Sequence, residues 1–245
     1  MKRNSGSAGL SVPVLLFGMV ALVLRRTLYA TAVDVKGLLL RHQPMEIALI
    51  VLTAGVLIRI VLAARKIAPS GSYEDCYEAS LFGAIGNVAA GAGILVTVLS
   101  GESLMGGYLN RAWHLLGLAA PVCMLLAGTA RMLGKKPFFL LHVVTCLFFA
   151  VHIVAHYQLW SSNPQMQDYV FSLLGAMALM FFGFYAASME ADCGSRRMTV
   201  AMGLAALYLC TVELARSSCP ALYLGGILWV LTDLCSMCKD AQEKP

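Results

Sequence analysis

Eight stretches of nearly unbroken apolar residues run along the chain, at roughly 9–30, 46–65, 79–100, 112–131, 137–158, 168–189, 198–215 and 221–238, with short polar breaks between them. Each is close to the ~20 residues that an α-helix needs to cross a hydrocarbon core ~30 Å thick. None shows the alternating pattern of a barrel strand. The pattern therefore predicts an all-α fold, a polytopic integral membrane helix bundle of eight transmembrane helices. The breaks carry the residues that stop helices or sit at a bilayer edge: Pro44, then Arg65, Lys66 and Pro69, then Lys135, Lys136 and Pro137, and later Pro164 and Pro220. Connections this short predict antiparallel neighbours and leave no room for a separate soluble unit, so residues 1–245 are expected to form one transmembrane domain. The first stretch also has the basic start and small-residue ending (Ala30, Thr31, Ala32) of a cleavable signal. Removal would leave seven spans, but Arg25 and Arg26 interrupt the region that a peptidase requires to be neutral.

Composition agrees with the pattern: of 245 residues, 59% are hydrophobic and 13% charged, and the mean hydropathy is +0.76. Such a chain partners a lipid bilayer, here expected to be the cell membrane, and other membrane subunits are further candidate partners. The alternation of eight spans puts eleven cationic residues on one side (Lys2, Arg3, Arg65, Lys66, Arg131, Lys135, Lys136, Arg196, Arg197, Lys239, Lys244) against six on the other (Arg25, Arg26, Lys36, Arg41, Arg111, Arg216). By the positive-inside rule both termini are expected to be cytoplasmic. The formal charge of +5 is the usual surplus of such loops and does not call for nucleic acid. Four of the six outer cations, Arg25, Arg26, Lys36 and Arg41, crowd the first connection. They snorkel to lipid phosphates or contact an anionic headgroup or substrate.

The fifth stretch carries three imidazoles. At ~100° per residue, His142, Thr145, His152 and His156 share a sector of about 80°, and apolar residues take the opposite pole. The cost of burying polar groups in hydrocarbon predicts that this stripe faces the bundle interior, where it would serve as a substrate or proton path. Two cofactor readings compete. His142 and His156, about 21 Å apart along the axis, would suit two stacked haems, but the span histidines include only His114 as a further axial ligand, which allows one haem at most. His114, His152, His156 and Glu213 together would make a His₃Glu metal set. No cofactor is required by the sequence.

Arg59 and Asp233 lie at similar depth from opposite directions, which predicts that they pair, either as a clamp between helices or, with Asn87, as part of the substrate or proton path. Cys76, Cys193, Cys235 and Cys238 fall on the cytoplasmic side and would form a thiolate site if they met. Gly83, Gly86, Asn87, Ala90 and Gly91 give the third stretch a smooth face, with Asn87 ready for an interhelical hydrogen bond, which predicts a central helix. Dinucleotide, Walker-type and nucleophile-elbow motifs are missing. The expected function is a small solute or ion transporter or its membrane subunit. A metal- or haem-dependent redox enzyme and a non-catalytic scaffold are the alternatives.

Overall fold

The computed structural model describes residues 7–31, 43–67, 73–77, 80–100, 107–161 and 169–237. They form helices α1 (Ser7–Thr31), α2 (Pro44–Ala64), α3 (Tyr73–Cys76), α4 (Leu81–Leu99), α5 (Tyr108–Met132), α6 (Leu140–Trp160), α7 (Val170–Glu190), α8 (Arg196–Glu213) and α9 (Pro220–Ser236). Apart from the short α3, each helix coincides with one apolar stretch, and the architecture is an all-helical bundle. Six helices, α1, α2 and α4 to α7, are long and apolar enough to cross a membrane, which fits a multi-pass membrane protein. The α9 helix is apolar but shorter, at 17 residues. The α8 helix has 18 residues, opens on Arg196 and Arg197 and closes on Glu213.

Long-range contacts show how the helices alternate. Arg197 donates to the backbone carbonyls of Ile67 (3.1 Å) and Arg65 (3.3 Å), Lys136 pairs with Asp192, and Arg131 pairs with Asp233. The ends of α2, α5, α7 and α9 thus meet the starts of α6 and α8 at one end of the bundle, here called the basic end. At the opposite end, Arg25 of α1 meets Glu213 of α8 at 2.5 Å. The α1 helix is packed along α8 and α2 as an integral member of the bundle.

The smooth face of α4 serves two neighbours. Gly91 faces Pro121 and Met124 of α5, while Gly86 lies against Trp229 and Thr232 of α9. The approach to α9 is close enough that a Cβ on Gly225 would stand 2.6 Å from the Ala89 carbonyl oxygen and 3.2 Å from the Ala90 Cα. Backbone contact of this kind is the usual adhesive between membrane helices, since lipid gives no hydrophobic drive for association. The expectation that α4 is the central helix is met only in part. The helix enclosed on most sides is α8, which packs against α1, α2, α7 and α9 and buries every residue from Ala206 to Glu213. Its modest hydropathy follows from its place: a helix surrounded by protein needs small and polar residues more than leucines. The α1 and α2 helices, in contrast, expose Leu16, Val20, Ile50, Val51 and Ile58, as lipid-facing helices do.

Candidate functional site

Each of the three long helices α7, α8 and α9 carries an acidic residue in its last turn: Glu190, Glu213 and Asp233. A carboxylate there opposes the helix macrodipole, whose C-terminal end is itself negative. All three are buried, so each requires a cation or a proton.

At the basic end, Arg131 answers two of them. Its guanidinium pairs with Asp233 and lies 3.7 Å from a Glu190 oxygen. Local backbone chemistry sets these positions. The α5 helix ends with Gly134 at φ 68° and α7 with Asp192 at φ 56°. In both, the following amide reaches back across the last turn: Lys135 to the Ala130 carbonyl (2.9 Å) and Cys193 to the Ser188 carbonyl (3.0 Å). These left-handed caps stop the two helices just past Arg131 and Glu190. The Lys136–Asp192 pair then ties one cap to the other. The Lys136 ammonium, helped by the Tyr73 amide, holds the Asp192 carboxyl below its ordinary range.

Aromatic residues close the cluster. Tyr73 and Tyr77 stack at 4.8 Å, the Arg131 guanidinium sits 4.9 Å over the Tyr77 ring, and the Tyr77 hydroxyl donates to Asp233 at 3.4 Å. Burial pushes the Tyr77 hydroxyl well above its ordinary value, so it stays a neutral donor.

His142 completes the site and fixes its proton inventory. Its ring stacks on Trp229 at 5.7 Å and 10°. The Asn87 amide nitrogen donates to the Gly83 carbonyl at 2.9 Å, which turns the amide oxygen toward His142 Nε2 at 3.3 Å. An oxygen acceptor there requires Nε2 to carry hydrogen. On the other side, Nδ1 lies 2.9 Å from Glu190 Oε2. Two bare lone pairs would repel at that distance, so a proton lies between them, whichever atom owns it. With that proton, Arg131, Asp233, Glu190 and His142 sum to zero charge; Arg196, buried at the same end, adds a further cation whose guanidinium donates to the Met237 carbonyl at 3.3 Å.

The other residues singled out from the sequence are distributed differently. His142, Thr145, His152 and His156 are all buried. Thr145, however, turns its hydroxyl back to the Leu141 carbonyl at 3.3 Å, and His152 belongs to a separate group. The Trp113 indole donates to His152 Nδ1 at 3.1 Å, and the His152 and His156 rings lie 4.1 Å apart. Arg59 is not brought to Asp233. It is exposed in a shallow apolar groove between α1 and α2 with Leu10, Phe17 and Ile60, while Arg131 takes the carboxylate. Depth along the sequence matched Arg59 to Asp233, but α2 packs on α1 and α8 and Arg59 faces the outer groove between α1 and α2.

The His114, His152, His156 and Glu213 set is not assembled as a metal centre. Among the described residues, no three His, Cys, Asp or Glu side chains come together as metal ligands. Glu213 is engaged by Arg25, and half-buried His114 abuts the Trp113 indole edge-on at 5.0 Å. Cys76, Cys193 and Cys235 do not form such a group either, and Cys238 lies outside the described residues, as do Lys36 and Arg41. Of the first-connection cations that are described, Arg26 is exposed and Arg25 is 2% exposed. Beyond its ion pair, Arg25 donates to the Val212 carbonyl at 3.2 Å and lies 4.9 Å from the centre of the Phe171 ring.

Comparison with known proteins found no matching family, no matching curated protein and no matching solved structure.

Proposed function

We propose that the protein is a transporter, or the membrane subunit of one, that moves a small solute or ion across the cell membrane coupled to a proton held between His142 and Glu190. One observation carries this reading: the buried His142 and Glu190 side chains, on α6 and α7, meet at 2.9 Å beside the Arg131–Asp233 pair, a contact that requires a proton. Ionisable groups inside a membrane bundle are costly and are kept where ions or protons move. In this reading residues 1–245 act as one transmembrane domain with the basic end and both termini in the cytoplasm. Thr145 lies on the same face of α6 as His142, and other membrane subunits are candidate partners.

The test is proton flux. Purified protein is sealed into vesicles holding a pH-sensitive dye, a pH gradient is imposed, and a panel of small solutes is added outside. Solute-dependent proton movement is expected in the wild type and its loss in Glu190→Gln, which keeps the shape of the side chain. Equal flux from wild type, Glu190→Gln and His142→Gln would remove the proposal.

A further inference from the structure

Arg131, Asp233 and Glu190 stand at helix ends, where water is close, yet all three are buried. Part of their cover comes from the single turn α3, between α2 and α4, whose Tyr73, Cys76 and Tyr77 side chains are buried as well. The Tyr77 ring lies against the Arg131 guanidinium, its hydroxyl donates to Asp233, and the Tyr73 ring stacks on it.

Attachment separates α3 from the other elements at this end. The α5, α7 and α9 helices join their neighbours along packed interfaces, and among the described residues α3 has no interface of that kind with another helix. One hydrogen bond, from the Tyr77 hydroxyl to Asp233 at 3.4 Å, ties it to the site. A second, from the Tyr73 amide to Asp192 Oδ1 at 3.4 Å, ties it to the α7 cap. Asp192 is exposed and shares its other oxygen with Lys136. Segments with few packed contacts open at lower free energy than helices held in the core.

Charge separates it too. Parting α5 from α9 would part Arg131 from Asp233. By contrast, α3 turns neutral rings to the same groups, because burial holds the Tyr73 and Tyr77 hydroxyls above their ordinary values. Lifting them breaks no ion pair, and water donates to Asp233 in place of the Tyr77 hydroxyl.

We propose that α3 is a lid, latched by Asp192, that opens the basic end of the bundle and lets water reach Arg131, Asp233 and Glu190. The lid itself stands on the contacts of α3. Its role as the gate that controls proton exchange at the His142–Glu190 contact rests on the transport reading.

The thiol of Cys76 reports the opening. The full chain in phosphatidylcholine nanodiscs is treated with a water-soluble maleimide, and each cysteine is followed by peptide mass spectrometry, with exposed Cys193 and buried Cys210 as the fast and slow standards. In the wild type Cys76 should react more slowly than Cys193. Asp192→Gly suits the φ of 56° at that position and removes the acceptor for the Tyr73 amide, while Tyr77→Phe removes the donor to Asp233. Each should speed reaction at Cys76 at least tenfold and leave Cys210 unreactive. A wild-type rate at Cys76 in whichever variant keeps Cys210 unreactive, or a wild-type Cys76 as fast as Cys193, would overturn the lid. The gate is read as solute-dependent proton flux in vesicles, which Asp192→Gly should change at least threefold. Unchanged flux would overturn the gating role. Absence of flux in the wild type, with Cys76 still accelerated in the variants, would remove the transport reading and leave the lid standing.

Discussion

The two ends of the bundle solve the same electrostatic problem in different ways. At the opposite end, Glu213 meets Arg25, and the pair is complete: one cation, one carboxylate, a carbonyl and two aromatic rings. At the basic end, Arg131 meets both Asp233 and Glu190, Arg196 is buried as well, and Glu190 also meets His142 across a contact that requires a proton. A closed pair can only hold helices together. The contact at the basic end instead holds a proton that either of two side chains can own, and the proposed function uses that contact.

The comparison can be broken most directly at Arg131. Arg131→Met strands Asp233 as an uncompensated buried charge and is expected to cost about 3–5 kcal/mol, read as unfolding in detergent followed by circular dichroism. The double variant Arg131→Met with Asp233→Leu should recover most of that loss; no recovery would mean that the two groups are not coupled. Next is the complete pair. Glu213→Gln keeps a neutral acceptor for Arg25, which retains its carbonyl and ring contacts, so a smaller loss of about 1–3 kcal/mol is expected. A loss equal to that at Arg131 would erase the distinction drawn between the two ends. The neutral group on α6 sets a third level. Trp113→Phe removes the donor to His152 Nδ1 while keeping most of the ring, and about 1 kcal/mol is expected by the same measurement. The smallest effect belongs to the exposed tie between the caps. Because the folded Asp192 carboxyl is held below its ordinary value, its stabilisation is present above the unfolded value of about 3.9 and is lost as the pH falls through the folded one. Melting of wild type and Lys136→Ala should therefore differ slightly at pH 7 and converge on acidification. A gap that widens in acid would contradict the pairing.

Much of this architecture is legible in the chain, and the parts that are not have identifiable reasons. Apolar run length marks the eight long helices to within a few residues, and six of them have the length and hydropathy that a bilayer crossing needs. The spacing of His142, Thr145, His152 and His156 marks one sector of α6 because the helical repeat is fixed. Pairing is harder. Arg131 reads as a loop cation, counted toward orientation, since nothing local reveals that α5 ends under α9. Glu190 attracts no notice as the last residue of an apolar run, although an acid in a final helical turn is itself a signal, because the dipole there disfavours it. The same signal marks Glu213 and Asp233. Arg59 misleads for the complementary reason: depth along a helix is readable, while the direction it faces depends on which neighbours exist, and α2 has neighbours on only one side.

The Asn87 side chain has a consequence for how an imidazole can work. The Gly83 carbonyl fixes which way round the amide stands, and the amide in turn keeps Nε2 hydrogenated, while the Trp229 indole lies flat against the ring. An imidazole clamped on one edge and one face has no room to swing as a paddle between two compartments. Under the proposed function, the ring edge left for proton exchange is Nδ1, 2.9 Å from Glu190 Oε2.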